Sequence, residues 1–582
     1  MPVAILARYL ARHRARYAAG VLLLLATNAG ALLIPWVTKD VIDALADPAR
    51  SGATRTTVAA AALLVAALAL IQAITRTASR LVLLGAGQHV EAAIRADLFR
   101  AFLRLEPLFY QGRRTGDLMS RATNDLQSVA MLVGFALLSL VNTAIVYAGT
   151  IVAMLRIDPG LTLAALAPFP LLLAVARRFN ARAHADALAV QEQLARLSDK
   201  AQENLSGMPV VRAYTLASRE IEEFGRLNAE HLARVLRQTR TQGLFSPLLA
   251  LTSGIGALVV LWIGGGAVLD GRLSLGALVA FSGYVAYLAW PTMALGWVLA
   301  IVRRGLAAFG RVIEILDTEP GIVDGPGVVA LPAAARVEVE VRRLTFRYAP
   351  DRPPALRDLS VRIPAGSSVA IVGPTGAGKT TLAMLLPRLW DPPPGTVFVD
   401  GQEIHAIPLG QLRASIGLVP QEAFLFSRSL RENIAFGAPE AGVESAALVA
   451  GLGPDVARLP RGWDTVVGER GLMLSGGQRQ RATLARALLR DPRILVLDDA
   501  FAAVDAETEA AILGRLLERI RGRTTLVITH RLRVAAMLDR ILVLDGGRLV
   551  EDGTHAELLA QGGLYARLWR RQQLESTIEA AG

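Results

Sequence analysis

The sequence predicts a membrane α-helical bundle of six spans, with long cytoplasmic helical extensions, followed by a P-loop α/β domain. Three observations carry that prediction. Apolar stretches long enough to cross a bilayer recur throughout the first 300 or so residues. Short β-rich runs alternate with helical patterns after a linker rich in Pro and Gly. One of those runs leads into the pattern G-x-x-x-x-G-K-T. Composition agrees: 53% of the 582 residues are hydrophobic and mean hydropathy is +0.41. Charged residues are 19%, below the roughly 25% usual in soluble domains.

The expected spans are Tyr17–Leu45, Thr57–Leu84, Met131–Leu155, Leu161–Val175, Phe245–Leu269 and Leu275–Val302. The third and fourth form a hairpin about Arg156–Gly160, the fifth and sixth another about Asp270–Ser274. The fourth has the shortest apolar core. An even number of spans puts both chain ends on one side, and loop charge says which. Arg95, Arg100, Arg104, Arg113, Arg114 and Arg121 lie between spans two and three. Arg177, Arg178, Arg182, Arg196, Lys200, Arg212 and Arg219 lie between spans four and five. The opposite loops are short, with Arg50, Arg55, Arg156 and Arg272. Positive charge collects on the cytoplasmic side, so both ends are expected there.

Near the N-terminus Arg8, Arg12, Arg14 and Arg16 alternate with Leu6, Tyr9 and Leu10. That reads as a short helix on the inner leaflet; the first apolar stretch is too long for a signal-peptide core. The two cytoplasmic segments are long and rich in helix formers, and they read as membrane helices continued into the cytoplasm rather than as loops.

The net charge of +12 comes almost wholly from arginine, since Lys39, Lys200 and Lys379 are the only lysines. The pattern is that of a GC-rich bacterial gene. The basic residues are dispersed and follow membrane topology, which argues against nucleic acid as a partner. With no cysteine, disulfides, thiol catalysis and cysteine-ligated metals are excluded.

From Leu316 to Ala335 the residues Asp317, Pro320, Gly325, Pro326, Gly327 and Pro332 mark a linker. Beyond it the run Ser368–Val372 enters Gly373-Pro374-Thr375-Gly376-Ala377-Gly378-Lys379-Thr380. In a strand–loop–helix context the glycines let backbone N–H groups face phosphate, and the helix N-terminus favours negative charge. Lys379 is expected on the β- and γ-phosphates and Thr380 on Mg²⁺. Ile494–Leu497 is an aliphatic run that delivers Asp498 to the phosphate end of a sheet, a metal-binding position in P-loop enzymes. Between them lies Leu474-Ser475-Gly476-Gly477-Gln478 ahead of an expected helix Arg479–Leu489. A hydroxyl and flexible amides at a helix start form a second anion site. Two phosphate sites on one chain suggest a sandwich, each ATP capped by the other chain.

With these motifs in view, the chain resembles the ATP-binding-cassette exporters over essentially its whole length. The resemblance implies a P-loop α/β ATPase domain with a helical subdomain, and ATP and Mg²⁺ as cofactors. Tyr348 matches the aromatic that stacks on adenine, and Gln421 the glutamine linking Mg²⁺ and the attacking water to the membrane domain. His530 matches the histidine at the γ-phosphate. ATP is then held by Tyr348, Gly373, Pro374, Thr375, Gly376, Ala377, Gly378, Lys379, Thr380, Thr381, Gln421 and His530, and by Ser475, Gly476, Gly477 and Gln478. Thr380, Gln421 and Asp498 are the metal positions, and Asp499, His530 and Gln421 the catalytic ones. Phe109–Leu118 and Ser206–Glu220 resemble the coupling-helix regions, and Gly468–Gly471 the loop preceding the signature. The tail from Glu551 through Tyr565 also resembles the family. The implied division is 1–316 transmembrane, 317–335 linker, 336–575 nucleotide-binding and 576–582 tail. The implied setting is the bacterial inner membrane, as one half of a dimer.

One position departs from the family pattern. Glu usually follows the metal-binding Asp and polarises the attacking water; here the residue is Asp499. Phe501 and Ala502 stand where Thr and Ser are usual. This reads as a hydrolysis-impaired site in a heterodimer whose partner carries Glu, with a homodimer using Asp499 as the alternative. Spans poor in ionisable residues suit hydrophobic or amphipathic cargo, such as drugs, lipids or peptides. An importer of siderophore-like compounds in the same fold is the other direction. Pro35, Pro168, Pro170, Pro247 and Pro291 lie inside the expected spans, where proline either kinks a helix or is tolerated.

Overall fold

The computed structural model describes residues 2–46, 54–332, 337–468, 471, 473–501 and 506–581. The chain divides into two compact units, 1–103 with 114–318, and 104–113 with 319–582.

The first unit is all helix. α1 (Pro2–Ala11) is short. Leu6 and Tyr9 are buried, and the Tyr9 hydroxyl donates to Asp97 at 2.8 Å. Part of its apolar face thus packs within the protein, while Arg8 and Arg12 stay exposed. α2 (Arg14–Ala46), α3 (Arg55–Arg104), α5 (Thr115–Ile157) and α11 (Leu275–Leu316) are long and apolar enough to cross a membrane; the short α4 (Pro107–Gln111), between α3 and α5 in sequence, is counted with the second unit. α3 has 50 residues, about 75 Å of helix at 1.5 Å per residue, more than twice a bilayer core. The segments expected beyond the bilayer are therefore helical continuations of the apolar stretches, as their composition predicts.

The fourth expected span is not one helix. α6 (Pro159–Leu166) stops, and α7 (Phe169–Ser206) starts afresh. Pro168 is the N-cap of α7 and Pro170 lies in its first turn, where a missing N–H costs nothing. The preceding hairpin is also tighter than expected. Only Asp158 separates α5 from α6, and its carboxylate accepts from the Leu161 N–H at 2.7 Å. After α8 (Met208–Ala213), α9 (Ala217–Val259) runs antiparallel to α7 and passes through a π turn, Val260–Gly264, into α10 (Gly265–Leu269). Asn28 of α2 is buried and holds three helices together: it donates to Asn142 of α5 at 3.0 Å and accepts from Tyr287 of α11 at 3.1 Å. Amide and hydroxyl side chains of this kind bind membrane helices where apolar surface gives no driving force.

The second unit is α/β. An antiparallel sheet runs β2-β1-β4-β5, from β1 (Val339–Phe346), β2 (Leu356–Ile363), β4 (Val397–Val399) and β5 (Gln402–Glu403). A six-stranded sheet runs β10-β9-β3-β8-β7-β6. Its strands are β3 (Ser368–Val372), β6 (Ile416–Val419), β7 (Ile494–Asp498), β8 (Thr524–Ile528), β9 (Arg540–Asp545) and β10 (Arg548–Gly553). All pairings are parallel except that of the edge strand β10. β7 and β8 are buried along their whole length, as strands covered on both faces must be. Two apolar cores flank the sheet, one reaching β1 and β2, the other the helices from Leu430 to Leu489.

Candidate functional site

The carboxyl ends of β3, β7 and β8 meet at one rim, where open parallel sheets bind ligands. β3 delivers Gly373–Gly378, followed by α12 (Lys379–Leu385). Gly373, Gly376 and Gly378 have φ of +146°, +82° and +95°, accessible to glycine at no steric cost. A Cβ on Gly373 would also lie 2.0 Å from the Leu544 carbonyl oxygen, and one on Gly378 2.6 Å from that of Ala355. The loop thus has no room for a side chain at Gly373 or Gly378.

Lys379 is buried, and its Nζ donates to the carbonyls of Gly373 at 2.8 Å and Pro374 at 2.9 Å. Burial holds its pKa below the ordinary lysine value, against the pull of Asp498 and Asp499. Asp498 ends β7 and is 1% exposed. Its Oδ1 accepts from the Thr380 hydroxyl at 3.2 Å, and its Oδ2 is buried with no hydrogen-bond partner. Burial raises its pKa first; the Thr380 hydroxyl, Lys379 and His530 pull it down, and the neighbouring charge of Asp499 pushes it up. An orphaned carboxylate oxygen beside a threonine hydroxyl is an unmet demand for a cation. Hard oxygen donors of this type suit Mg²⁺, so the residues present fit that ion.

Asp499 follows at φ +49°, a left-handed conformation in which Asp and Asn are enriched over other L-residues. Its N–H donates to the Ile528 carbonyl at 2.9 Å. Gln480 steadies this loop from α17 (Gly476–Leu489): its Nε2 donates to the carbonyls of Asp499 at 3.4 Å and Gln421 at 3.5 Å. Tyr348 is half-buried, donates to the Thr381 hydroxyl at 2.9 Å, and meets the edge of Trp390 with ring centres 4.7 Å apart.

One cavity of about 320 Å³ gathers these groups. Tyr348, Thr375–Thr381, Gln421, Asp498, Asp499 and His530 all line it. Ala355 and Ile528 complete its wall; neither carries a sequence signal, since both are small or apolar residues at strand ends. Gly373 and Pro374 act through their carbonyls on Lys379 and do not line it.

Ser475, Gly476, Gly477 and Gln478 do not line the cavity either. The signature helix starts at Gly476, three residues before its expected start. Ser475 is its N-cap: the Ser475 hydroxyl accepts from the Gln478 N–H at 3.2 Å, and the Gln478 Oε1 accepts from the Ser475 N–H at 2.9 Å. This is the reciprocal capping box, with Gln in the third position. The other end of Gln478 donates to Asp455 at 2.9 Å, and Arg481 donates to the same carboxylate at 2.7 Å. Asp455 was not legible as a positioning residue, because it lies 20 residues before Ser475 in sequence. Ala502 of the departing loop, and Glu469 and Arg470 of the segment ahead of the signature, lie outside the described residues.

Two family models match the chain, one described as the ABC transporter transmembrane region over residues 17–292 and one as ABC transporter over 356–502. A probable multidrug resistance ABC transporter ATP-binding/permease protein of Bacillus subtilis (strain 168) is 37% identical over 85% of this chain and 85% of its own. An ATP-dependent lipid A-core flippase of Syntrophus aciditrophicus (strain SB) is 36% identical over 84% of this chain and 82% of its own. A multidrug efflux ATP-binding/permease protein of Mycobacterium tuberculosis (strain ATCC 25618 / H37Rv) is 36% identical over 97% of this chain but 47% of its own. Among solved structures, a bacterial Atm1-family ABC exporter with ATP bound superposes with a TM-score of 0.80 at 32% identity, over 96% of this chain and 99% of that one.

Proposed function

The chain belongs to the ATP-binding-cassette transporter family, coupling ATP hydrolysis to transport with ATP and Mg²⁺, and we propose that it is the hydrolysis-impaired half of a heterodimeric exporter of amphipathic compounds. The observation that carries this reading is the composition of one cavity. It joins the phosphate loop, an orphaned carboxylate and the shortened acid Asp499, and it excludes the chain's own signature motif.

Each residue has a part in the proposed cycle. Tyr348 stacks on adenine. The N–H groups of Thr375–Thr380 and the Lys379 ammonium hold the phosphates, Lys379 leaving its carbonyls as they arrive. Thr380, Gln421 and Asp498 would hold Mg²⁺, which neutralises phosphate charge when bound. Asp499 accepts the proton of the attacking water and His530 contacts the γ-phosphate. Asp is one methylene shorter than Glu, so its carboxylate lies about 1–1.5 Å farther from that water; misplacement on this scale costs about 100-fold. Ser475 and the first turn of its helix cap ATP held by a partner chain. A relative of which this chain spans 47% supports the view that this chain is half of a functional unit.

The proposed domain boundaries are those drawn from the sequence, with N-terminus, C-terminus and ATPase on the cytoplasmic side of a bacterial inner membrane. Relatives named for multidrug resistance and for lipid A-core flipping support drug or lipid cargo. The test is purification of the chain with and without candidate partner half-transporters carrying Glu after the metal-binding Asp. The proposal expects the mixed dimer to hydrolyse ATP and the chain alone to do so at a few per cent of that rate or less, about 100-fold being the estimate. Full transport-coupled activity of the chain alone would establish the homodimer instead.

A further inference from the structure

We propose that Trp390 is a positioning residue for the nucleotide base: it holds the Tyr348 ring ready for stacking before ATP arrives. The proposal rests on the adenine role given to Tyr348 above and adds the side chain that fixes that ring.

Tyr348 stands two residues past the end of β1, on a bend outside the strand ladder. A side chain on such a segment changes rotamer freely unless its neighbours hold it, and ordering it on binding costs affinity. Here the neighbours hold it. Tyr348 and Trp390 stand nearly perpendicular, at 86° with ring centres 4.7 Å apart. Phe346, buried at the end of β1, lies 5.1 Å from Tyr348 at 83° and 6.4 Å from Trp390 at 72°. These are the edge-to-face arrangements that aromatic quadrupoles favour. Tyr348 and Trp390 both pack on the apolar core that contains Phe346. Tyr348 lines the P-loop cavity, whereas Phe346 and Trp390 do not. Trp390 therefore acts through Tyr348.

The placement of Trp390 ties the wall for the base to the loop for the phosphates. α12 begins at Lys379 of the phosphate loop. The chain leaving α12 turns at Arg388, with φ +48°, and presents Trp390. The buried Arg388 donates from Nε to Asp391 at 2.7 Å, closing the turn on both sides of Trp390. Thr381, in the first turn of α12, accepts from the Tyr348 hydroxyl at 2.9 Å. The ring is thus held at its tip by the start of α12 and at its side by a residue just beyond the end of α12. A ligand with phosphates and no base meets the same loop without needing the ring.

The test uses the intact chain in detergent. Affinities for Mg-ATP and Mg-tripolyphosphate are read from ligand-dependent shifts in melting temperature. The quantity compared is the ratio of the two affinities within one variant, in which a general loss of stability cancels. Trp390→Leu is expected to weaken ATP binding by about three- to tenfold, the scale of a lost aromatic pair, and to leave tripolyphosphate within about twofold. Trp390→Met should do the same, so the outcome does not hang on one variant folding. Trp390→Tyr should keep most of the ATP affinity. Added to Tyr348→Ala, Trp390→Leu should change ATP affinity by less than about twofold, because the ring it holds is gone. Equal weakening of both ligands in Trp390→Leu and Trp390→Met would mark a merely structural residue and overturn the proposal. An unchanged ratio in both, or a full additional loss in the Tyr348→Ala background, would overturn it too. If Tyr348→Ala itself leaves the ratio unchanged, the adenine role of Tyr348 fails and this proposal with it. A lowered ratio in Tyr348→Ala beside a wild-type ratio in both Trp390 variants sinks the Trp390 assignment alone.

Discussion

The two adjacent acids at the end of β7 illustrate how one residue's conformation and one residue's burial set chemistry. Asp499 adopts φ +49°, where a longer side chain gains nothing from the local backbone. Asp499→Glu should restore reach to the attacking water and raise ATP turnover by about 10- to 100-fold, read as steady-state phosphate release. It should also slightly lower the melting temperature. Asp498 is the opposite case. Its folded pKa is raised from 3.8, mainly by burial, so the folded state binds its proton more readily than the unfolded chain. The nucleotide-free protein should therefore gain stability as pH falls from the raised value toward 3.8. At neutral pH the buried charge is a cost, and Asp498→Asn should raise the melting temperature of the nucleotide-free form while abolishing the further rise that Mg-ATP gives the wild type. Differential scanning fluorimetry reads both. The identities of these acids were plain in the sequence because a strand–acid pattern needs only local context. The orphaned Oδ2 of Asp498 and the left-handed turn at Asp499 were not, since both arise from packing against β8 and α12.

At the scale of elements, helix ends and close approaches carry the predictions. Ser475 caps α17 through a capping box, so Ser475→Ala should cost about 1 kcal/mol of stability and, on the proposed trans arrangement, should impair the partner's site while leaving ATP affinity at this chain's own P-loop unchanged. Equilibrium binding of a fluorescent ATP analogue separates the two effects. In the membrane unit a Cβ on Gly87 would lie 2.9 Å from the Gly134 Cα. Gly87→Leu should force α3 and α5 apart and reduce the yield of monodisperse protein by size-exclusion chromatography. The long helices were legible from apolar length alone. The break between α6 and α7 was hidden within an apolar run, although Pro168 and Pro170 marked it; Pro35, Pro247 and Pro291 sit inside continuous helices. The difference lies in position: a proline in a first turn starts a helix, whereas one deeper inside can be accommodated by neighbours. The start of α17 was likewise placed three residues late, because Gly476 and Gly477 look like a loop and are in fact the first turn.

For the whole molecule, the sequence conveyed the order of the two units and most of the residues that gather in the P-loop cavity, because both depend on motifs of a few residues. It did not convey which residues of the bundle line a common cavity, such as the one bounded by Gln127, Met131, Trp297 and Arg304, because helix packing brings them together across a long separation in sequence. The central claim is that this chain is half of an ATP-driven exporter with a slow site of its own. The most direct test is ATP turnover of the chain purified alone in lipid nanodiscs, wild type beside Asp499→Glu and Lys379→Ala. The account predicts no turnover for Lys379→Ala, and for wild type a rate roughly one to two orders of magnitude below Asp499→Glu. Wild-type turnover equal to or above that of Asp499→Glu would contradict it.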